Sequence, residues 1–349
     1  MTQAIQVGIV GCGFATTTFH APLIRSVPGL RLAAISSSDP DKVRAGWPGV
    51  DVCTSAQALF ERPDIDLVVI PTPNDTHHPL ALQALAAGKH VVVDKPFTLD
   101  VAQARELIEL ADRTGRLLSV FHNRRWDADF LTVQQLVAAG TLGRLTHVES
   151  HFDRFRPEVR PRWREGGGPG SGLWYDLGPH LLDQVLRLFG PPRTLSLDLA
   201  TQRDGGQADD WFHAVLRYGE LRVILHASAL VAGLGPRFAL HGTLGSYTKF
   251  GLDPQEDALK AGGCPGTPGW GADPAPGTWT RIGADGLEAS VLEGAAGDYT
   301  RYYAGIRDAL VDGAPNPVPA REALQVMRLI ELGHASVAEG RVVTVGDLG

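Results

Sequence analysis

The first 122 residues alternate short apolar runs with helical patterns, and this alternation restricts the fold more than any other feature. Residues 66–70 and 90–93 are dominated by apolar side chains, which is typical of strands buried on both faces of a sheet. Helical segments lie between such runs, and strands joined in this way imply right-handed crossovers and a parallel sheet. The sequence therefore predicts a doubly wound, nucleotide-binding architecture over residues 1–122.

The elements predicted in this part follow directly from periodicity. The strands are 6–10, 30–35, 66–70, 90–93 and 117–121, and the helices are 21–27, 77–87 and 101–114. From residue 123 onward the pattern changes to longer alternating segments, as half-buried antiparallel strands require. These segments are 147–155, 194–200, 211–218 and 221–229, and helices are predicted at 298–311 and 320–339. We expect residues 123–349 to form an α+β domain around a large, open, mainly antiparallel sheet, with the Gly- and Pro-rich residues 262–277 as a surface excursion.

Composition excludes several classes of protein. The 39 acidic residues outnumber the 32 basic ones, giving a formal charge of −7, so nucleic acid and anionic membranes are not expected partners. No apolar run approaches the ~20 residues that a membrane-spanning helix needs. Three widely spaced cysteines form neither a disulfide framework nor a zinc motif, and residues 1–5 show no signal-peptide pattern. We expect a cytoplasmic protein without a metal.

A glycine-rich loop follows the first predicted strand. Gly11 and Gly13 flank Cys12 between a strand and a helix, where the first glycine of a dinucleotide site permits the tight turn and the second lets the backbone approach the pyrophosphate. Thr16 occupies the position of the third glycine. The two-glycine pattern alone also fits an ordinary turn, but its place between strand and helix favours dinucleotide binding.

The end of the second strand normally distinguishes the two nicotinamide cofactors. A carboxylate there pairs with the ribose of NAD and repels the 2′-phosphate of NADP. This chain has Ser36 and Ser37 at that point, followed by Asp39, Lys42 and Arg44. Hydroxyls and nearby cations favour NADP, whereas Asp39 favours NAD if it reaches the ribose. Alternatively, the serines simply form a side-chain turn ahead of a helix.

Two segments carry residues suited to catalysis. Lys95 follows the strand at 90–93 and so lies at the edge of the sheet where ligands bind. Its ammonium group can stabilise a developing alkoxide. The alternative is a solvated surface lysine, as most lysines are. Asp176, His180 and Asp183 lie along one side of a helix predicted to start near Asp176. His180 beside a carboxylate suits general-base work on an alcohol. The alternatives are that Asp176 is a helix cap, that His180 is an interior residue, or that the three side chains bind a metal.

Residues 8–14, 69–97 and 170–184 together resemble the Gfo/Idh/MocA family, which includes glucose–fructose oxidoreductase and inositol dehydrogenase. The most specific motifs are Asp94-Lys95-Pro96 and the DxGxH pattern of Asp176–His180. Residues 120–132 and 149–157 are similar to the bacterial branch that includes scyllo-inositol dehydrogenases. The resemblance implies an N-terminal Rossmann domain, oligomerisation through the exposed face of the C-terminal sheet, and a catalytic set of Lys95, Asp176 and His180.

The loop analysis and the resemblance together give a set of site residues. The cofactor candidates are Gly11, Gly13, Phe14, Ala15, Ser36, Ser37, Pro71, Thr72, Asn74, His77, Lys95, Pro96 and Asn123. The substrate candidates are His122, Arg124, Asp153 and Trp163, with Arg154, Arg164 and Tyr302 or Tyr303 as further ones whose alternative role is packing or surface pairing. Arg125 is expected either beside the same crevice or in a structural ion pair.

The function expected from these residues is reversible hydride transfer between a nicotinamide cofactor, NADP or NAD, and a hydroxyl-bearing carbon of a polyol or cyclic sugar. An enzyme similar to scyllo-inositol dehydrogenase is favoured, acting as a homodimer or homotetramer. The alternatives are an aldose or dihydrodiol dehydrogenase, and a non-catalytic cofactor-sensing regulator with the same fold.

Overall fold

The computed structural model describes residues 4–233 and 235–349, and they form two compact units. Residues 1–3, where the sequence predicts no leader, lie outside the described part. The first unit consists of the chain up to Asn123 together with Gln255–Trp270 and Asp298–Leu324. The second consists of Arg124–Pro254, Gly271–Gly297 and Gln325–Gly349. Each unit combines segments that are distant in sequence, and the division of functional domains at residues 122 and 123 stays a prediction.

A six-stranded parallel sheet forms the centre of the first unit, and it confirms the predicted Rossmann class. Its strands are β1 (Ile5–Val10), β2 (Leu30–Ser36), β3 (Asp51–Cys53), β4 (Leu67–Ile70), β5 (His90–Val93) and β6 (Leu118–Val120). They are ordered β3-β2-β1-β4-β5-β6, and all neighbours are parallel. In this order the connections change direction between β1 and β4, which is where such folds bind ligands.

The described residues contain eleven α-helices. They are α1 (Ala21–Ser26), α2 (Pro40–Gly46), α3 (Ala56–Phe60), α4 (Asn74–Ala86), α5 (Val101–Thr114), α6 (Ala128–Ala138), α7 (Leu173–Asp176), α8 (Gly178–Phe189), α9 (Gln255–Lys260), α10 (Thr300–Val311) and α11 (Ala320–Glu339). Helices α5 and α11 have the predicted bounds, whereas α4 begins three residues before its predicted start. The short elements β3, α2 and α3 have too few residues to show a period, and they were not predicted.

A nine-stranded sheet forms the centre of the second unit and confirms the predicted large, mainly antiparallel sheet. Its strands are β7 (Leu145–His151), β8 (Thr194–Ala200), β9 (Trp211–Tyr218), β10 (Leu221–Ser228), β11 (Phe238–Gly242), β12 (Gly245–Lys249), β13 (Gly277–Gly283), β14 (Gly286–Leu292) and β15 (Val343–Thr344). The order is β14-β13-β12-β11-β7-β10-β9-β8-β15. Within this sheet, as far as the structure describes it, only the β7–β10 pair is parallel. Residues 262–276 contain no helix or strand, as predicted for a surface excursion.

One face of the nine-stranded sheet carries the core of the second unit. Alternate residues of the central strands, such as Leu216 on β9 and Leu225 on β10, are fully buried there. Trp174 of α7 packs edge-on against Phe212 of β9 with ring centroids 5.1 Å apart, and its indole N–H donates to the carbonyl of Ile330 at 3.1 Å. This packing anchors α7 against the sheet and the C-terminal helix α11, which fixes the position of Asp176 at the end of α7.

The opposite face carries a row of three histidines, His151, His213 and His226, on the neighbouring strands β7, β9 and β10. The ring centroids of His213 and His226 are 5.7 Å apart, and those of His226 and His151 are 5.2 Å apart. Asp153 lies 3.4 Å from Nδ1 of His151 and 3.5 Å from Nε2 of His226. We call these three residues the histidine row.

Candidate active site

The loop after β1 has the backbone geometry that a dinucleotide requires. Gly11 has a φ of 88°, a left-handed conformation that favours glycine, and its N–H donates to the carbonyl of Ser36 at 2.8 Å. A Cβ atom at Gly13 would have no protein atom within 4 Å, so the backbone is open to an approaching ligand there. Helical backbone begins at Phe14, so the first N–H groups of a helix adjoin the loop. The loop therefore fits a bound pyrophosphate.

Thr16, which occupies the position of the third glycine, is buried beside this loop and hydrogen-bonds to it. It is 1% exposed, and its hydroxyl donates to the carbonyl of Gly11 at 2.8 Å. Residues Thr16–His20 form a π-helical turn that leads into α1. Helix and sheet remain packed although the glycine is missing, because the threonine side chain is accommodated in the interior and satisfies a backbone acceptor.

The segment after β2 favours the turn interpretation of its serines. The Ser36 residue is 4% exposed. The Ser37 hydroxyl accepts from the N–H of Asp39 at 3.0 Å and lies 3.1 Å from its carbonyl oxygen. The Asp39 carboxylate accepts from the N–H of Lys42 at 3.1 Å and caps α2. Asp39 and Ser37 thus have local roles, and contact of either serine with a cofactor stays a prediction.

The loops after β4 and β5 are held together by His77, one of the predicted cofactor residues. Its Nδ1 lies 2.8 Å from the carbonyl of Pro96, and its Nε2 lies 2.9 Å from the carbonyl of Thr72. The residue is only 1% exposed. Both ring nitrogens face protein carbonyls, so His77 positions the loop that contains Lys95. Contact of His77 with a cofactor stays a prediction.

Asp94 precedes the candidate catalytic lysine and is nearly buried, with 14% of its side chain exposed. One carboxylate oxygen accepts from the N–H of Lys95 at 2.7 Å, and the other lies 3.6 Å from Nε2 of His20. Burial opposes ionisation, but His20 and the charge of Lys95 outweigh it and lower the pKa of Asp94 to about 2. A permanent carboxylate therefore adjoins the backbone of Lys95.

His20 is a residue that sequence reasoning missed. It is fully buried, and its Nδ1 lies 2.6 Å from the hydroxyl of Tyr303. Tyr302 is also fully buried and donates its hydroxyl to Ser119 at 2.8 Å. The expectation that either tyrosine lines a substrate pocket is wrong in this structure, because both rings pack inside the first unit around Phe121. His20 lies in a segment that also contains Thr16, Thr17 and Thr18, so its sequence pattern did not mark it as a buried residue.

The other candidates of the first unit lie at the carboxyl ends of three adjacent strands. Pro71 and Thr72 follow β4, Lys95 and Pro96 follow β5, and His122 and Asn123 follow β6. A Cβ at Gly11 would lie 3.6 Å from the methyl group of Thr72, so the glycine loop and the β4 loop are neighbours. Asn74, the first residue of α4, is 4% exposed. The structure thus brings the predicted cofactor residues to one edge of the sheet.

Asp176 and His180, both in the second unit, were predicted to lie on one helix, but the structure places them on two. Asp176 ends α7, Leu177 interrupts the helix, and His180 is the third residue of α8. The helix is interrupted there because Gly178 and Pro179 start a new helix, and proline is tolerated in the first turn of a helix. Asp176 is not the cap of α8, since that position belongs to Leu177 and has no side-chain cap bond. His180 is 5% exposed.

Asp176 lines a small cleft, with about 30 Å³ of interior space, that lies wholly within the second unit. Five arginines and the carboxylates of Glu165 and Asp209 line it as well, and we call it the arginine cleft. Nε of Arg164 lies 3.5 Å from the Asp176 carboxylate. Burial raises the pKa of Asp209 to about 6, against hydrogen bonds that include the N–H of Trp174 at 2.7 Å. The cleft thus places the guanidinium of Arg164 beside a candidate catalytic carboxylate.

Asp183 and Arg125 form a buried ion pair rather than part of a ligand site. Nε and Nη2 of Arg125 donate to the two carboxylate oxygens of Asp183 at 2.8 and 2.5 Å. The structure therefore selects the ion-pair alternative for Arg125, and it commits Asp183 to that pair instead of the metal set. Arg124 lies 4.7 Å above the ring of Phe152 and 3.4 Å from Asp127.

Two substrate candidates do not line the arginine cleft. Asp153 contacts the histidine row instead, and Trp163 is 36% exposed with the guanidinium of Arg164 4.3 Å above its ring. Arg154 and Arg164, by contrast, both line it. Among residues 4–233 and 235–349, no group of three or more His, Cys, Asp or Glu side chains is arranged to hold a metal ion. No helix of that part of the chain has the length and apolar character needed to cross a membrane.

Comparison with known proteins agrees with this geometry. A model of an oxidoreductase family with an NAD-binding Rossmann fold matches residues 5–122, and a model of the C-terminal alpha/beta domain of that family matches residues 134–345. The uncharacterized oxidoreductase YdgJ of Escherichia coli is 58% identical over 337 residues, which cover 96% of this chain and 97% of YdgJ. The protein IolW of Bacillus subtilis, named scyllo-inositol 2-dehydrogenase (NADP(+)), is 38% identical over 98% of this chain and 96% of its own. The solved structure of the YPO2259 oxidoreductase of Yersinia pestis has a TM-score of 0.95 at 56% identity and covers 99% of both chains.

Proposed function

Since the chain belongs to the Gfo/Idh/MocA oxidoreductase family, we propose that it transfers hydride reversibly between NADP and a hydroxyl-bearing carbon of a polyol or cyclic sugar. The observation that carries this proposal is that Lys95, Asp176 and His180 all stand at the motif positions of the family. An inositol-type substrate is supported by the name of the relative IolW, which is 38% identical.

Each of the three residues has a distinct role in the proposed reaction. When bound, the nicotinamide accepts or returns the hydrogen of the substrate carbon together with its electron pair. His180 takes the hydroxyl proton as general base, and Asp176 orients the imidazole or the substrate hydroxyl. Lys95 stabilises the negative charge that grows on the alcohol oxygen. The carboxylate of Asp94 holds the backbone N–H of Lys95 at 2.7 Å and thereby fixes the base of its side chain.

The preference for NADP is supported by the segment after β2. The Asp39 carboxylate caps α2 through the N–H of Lys42 at 3.1 Å, so it is directed to its own helix rather than to a ribose. Lys42 and Arg44 place two cations just beyond the end of β2, with Arg44 2.7 Å from Asp41, and cations near this point suit the 2′-phosphate. The NADP(+) in the name of IolW supports the same choice. Asp39→Ala is expected to leave the affinities for NADP and NAD nearly unchanged, whereas a tenfold loss of NAD affinity or a tenfold gain of NADP affinity would favour the opposite assignment.

A kinetic test separates catalysis from cofactor binding. Lys95→Ala removes the ammonium, and we expect kcat to fall about 10²–10³-fold, as when one donor to a developing oxyanion is lost. The dissociation constant of NADP, measured by quenching of tryptophan fluorescence, should change less than threefold. Lys260→Ala is the matched control, because Lys260 pairs with Glu256 on the exposed surface of α9. Wild-type turnover in Lys95→Ala would contradict the assignment.

The substrate is tested with a panel of myo-inositol, scyllo-inositol, glucose and xylose, each assayed with NAD and NADP. Cofactor reduction at 340 nm with an inositol and NADP is the expected result. Binding of NADP without reduction by any member of a wide polyol and sugar panel would instead favour a cofactor-sensing regulator.

We also propose that the protein is a cytoplasmic homodimer or homotetramer formed through the nine-stranded sheet. Ile282, Leu287 and Val291 are 76%, 76% and 67% exposed on the β13–β14 hairpin. By strand register, they share the sheet face that carries the histidine row. An exposed apolar hairpin beside a partly exposed sheet face is typical of an association surface. Sedimentation of wild type and Leu287→Glu measures whether it is one. The three free cysteines suit a reducing compartment.

A further inference from the structure

Helix α7 ends at the candidate catalytic residue Asp176, but it starts without a capping side chain of its own. Gly172 occupies the position before the helix and makes no side-chain cap bond. The first N–H groups of a helix have no partner within it, and a serine, threonine, aspartate or asparagine at that position usually supplies one. The partners of these groups in α7 therefore come from elsewhere in the chain.

Asp209, in the segment between β8 and β9, supplies these partners. Its carbonyl accepts from the N–H of Leu173 at 2.8 Å, and its carboxylate accepts from the N–H of Trp174 at 2.7 Å. A Cβ atom at Gly172 would lie only 1.9 Å from Oδ1 of Asp209, so this close approach requires glycine. Asp209 thus caps α7 from a distant part of the sequence.

The backbone that carries Asp209 is fixed to the nine-stranded sheet through the next residue. The N–H of Asp210 donates to the carbonyl of Ala200 at 3.0 Å, and the carbonyl of Asp210 accepts from the N–H of Ala229 at 2.9 Å. Its carboxylate also accepts from Nε of Arg203 at 2.9 Å. The start of α7 is therefore held against the ends of β8 and β10 rather than against a loose loop.

One helical turn joins this cap to Asp176. The N–H of Asp176 donates to the carbonyl of Gly172 at 3.0 Å. A helix of four residues is not stable by itself, so its place depends on what holds it. Trp174 anchors the middle of the turn on the core, and Asp209 holds its start. A shift of that start therefore moves the Asp176 carboxylate, which lies 3.5 Å from Nε of Arg164.

We propose that Asp209 is a positioning residue, which caps α7 and thereby sets the place of the Asp176 carboxylate for the reaction. This inference rests on the proposed function and adds a residue to the same site. Asp209 acts through the backbone of the helix and not on the reacting atoms. A misplacement of about 1 Å at a reacting group can cost about 10²-fold in rate, which sets the size of effect to expect.

Two variants of Asp209 separate loss of the cap from loss of the charge. Asp209→Ala removes the acceptor, and we expect kcat to fall about 10–100-fold with the compound of the polyol and sugar panel that reduces NADP fastest. Asp209→Asn keeps an acceptor for the N–H of Trp174 and is expected to rescue kcat to within threefold of wild type. The dissociation constant of NADP should change less than threefold in both. Wild-type kcat in Asp209→Ala, or an equal loss in both variants, would overturn the inference.

Gly172→Ala disturbs the same cap from the other side and keeps the carboxylate. Its Cβ atom would meet Oδ1 of Asp209 at 1.9 Å, so we expect at least a tenfold loss of kcat. Gly168→Ala is the matched control, because a Cβ there meets no atom within 4 Å. This pair decides the question even if Asp209→Ala does not fold. Equal kcat in the two glycine variants would contradict the role of the cap.

A double-mutant cycle distinguishes positioning of Asp176 from a general structural effect. If Asp209 acts through Asp176, Asp209→Ala should change kcat less than twofold in an Asp176→Ala background, because the group that it positions is already absent. A general distortion of the second unit would instead lower kcat by the same factor in both backgrounds. That additive result would overturn the proposal.

Crystal structures of wild type and Asp209→Ala give a readout that does not depend on turnover. We expect the Asp176 carboxylate to move by about 1 Å or more while the ring of Trp174 stays in place. This displacement, with no reaction of any panel compound, would support the cap and contradict the dehydrogenase. Turnover that is lost in Asp176→Ala but kept in Asp209→Ala, with no displacement, would support the dehydrogenase and contradict the positioning role.

Discussion

Asp209 offers a quantitative test of the electrostatics of the arginine cleft. Burial raises the pKa of its carboxyl from an ordinary 3.8 to about 6, although the N–H of Trp174 donates to it at 2.7 Å. At about 1.4 kcal/mol per pKa unit, ionising Asp209 in the folded protein costs about 3 kcal/mol more than in the unfolded chain. Asp209→Asn keeps the acceptor for Trp174 and removes the charge, so it should stabilise the protein by that amount above pH 7.

The pH dependence follows from the sign of the shift. The folded protein holds the Asp209 proton more tightly than the unfolded chain, so its contribution to stability is complete below about pH 3.8 and is lost as pH rises through about 6. Asp209→Asn should therefore match wild type near pH 4 and exceed it at pH 8. For a unit of this size, 3 kcal/mol corresponds to a Tm difference of roughly 6–12 °C.

The assay is differential scanning calorimetry between pH 4 and pH 8, with the adjacent residue as a matched control. Asp210 is also a carboxylate, but it accepts from Nε of Arg203 at 2.9 Å and is 1% exposed. Asp210→Asn should destabilise the protein by about 1–3 kcal/mol because it weakens charged hydrogen bonds. A Tm difference for Asp209→Asn that does not change with pH, or a lower Tm than wild type at pH 8, would refute the reasoning.

Two further stability predictions concern buried polar contacts. Arg125→Met leaves the Asp183 carboxylate buried without its partner and should cost about 3–5 kcal/mol in urea unfolding; the double variant Arg125→Met/Asp183→Leu should recover most of this, and a single variant as stable as wild type would contradict the role of the pair. Thr16→Val removes the hydroxyl that donates to Gly11 and should cost about 1 kcal/mol, with weaker NADP binding in a fluorescence titration; unchanged unfolding and binding would show that the hydroxyl does not support the loop.

The sequence predicted the architecture of both sheets because buried parallel strands and half-buried antiparallel strands have different periods. Long elements such as α5 and α11 were predicted at their observed bounds. Short elements were not, since β3 has three residues and α3 has five, and neither length shows a period. The sequence also did not predict that Gln255–Trp270 belongs to the first unit. Which distant segments pack together is set by tertiary contacts rather than by local sequence pattern.

The candidate site was predicted in its chemistry but not in its geometry. Lys95, Asp176 and His180 were found from motifs, whereas the break of the helix at Leu177 was missed because the four-residue spacing suggested one continuous helix. The arginine cleft was missed as a unit, since its members come from segments whose loop conformations have no periodic signal. His77 has a sequence position typical of cofactor contact, and only the coordinates show that its ring nitrogens face two carbonyls.

The histidine row spreads proton uptake over a wide interval of pH. Burial opposes protonation of His151, but Asp153 and Glu149 outweigh it and raise its pKa, whereas burial lowers the pKa of His213 and His226. Each imidazole that gains a proton also repels the next proton from its neighbours across the strands. Acidification therefore charges this surface step by step, and the sheet face acts as a graded buffer instead of changing its electrostatic character at one threshold.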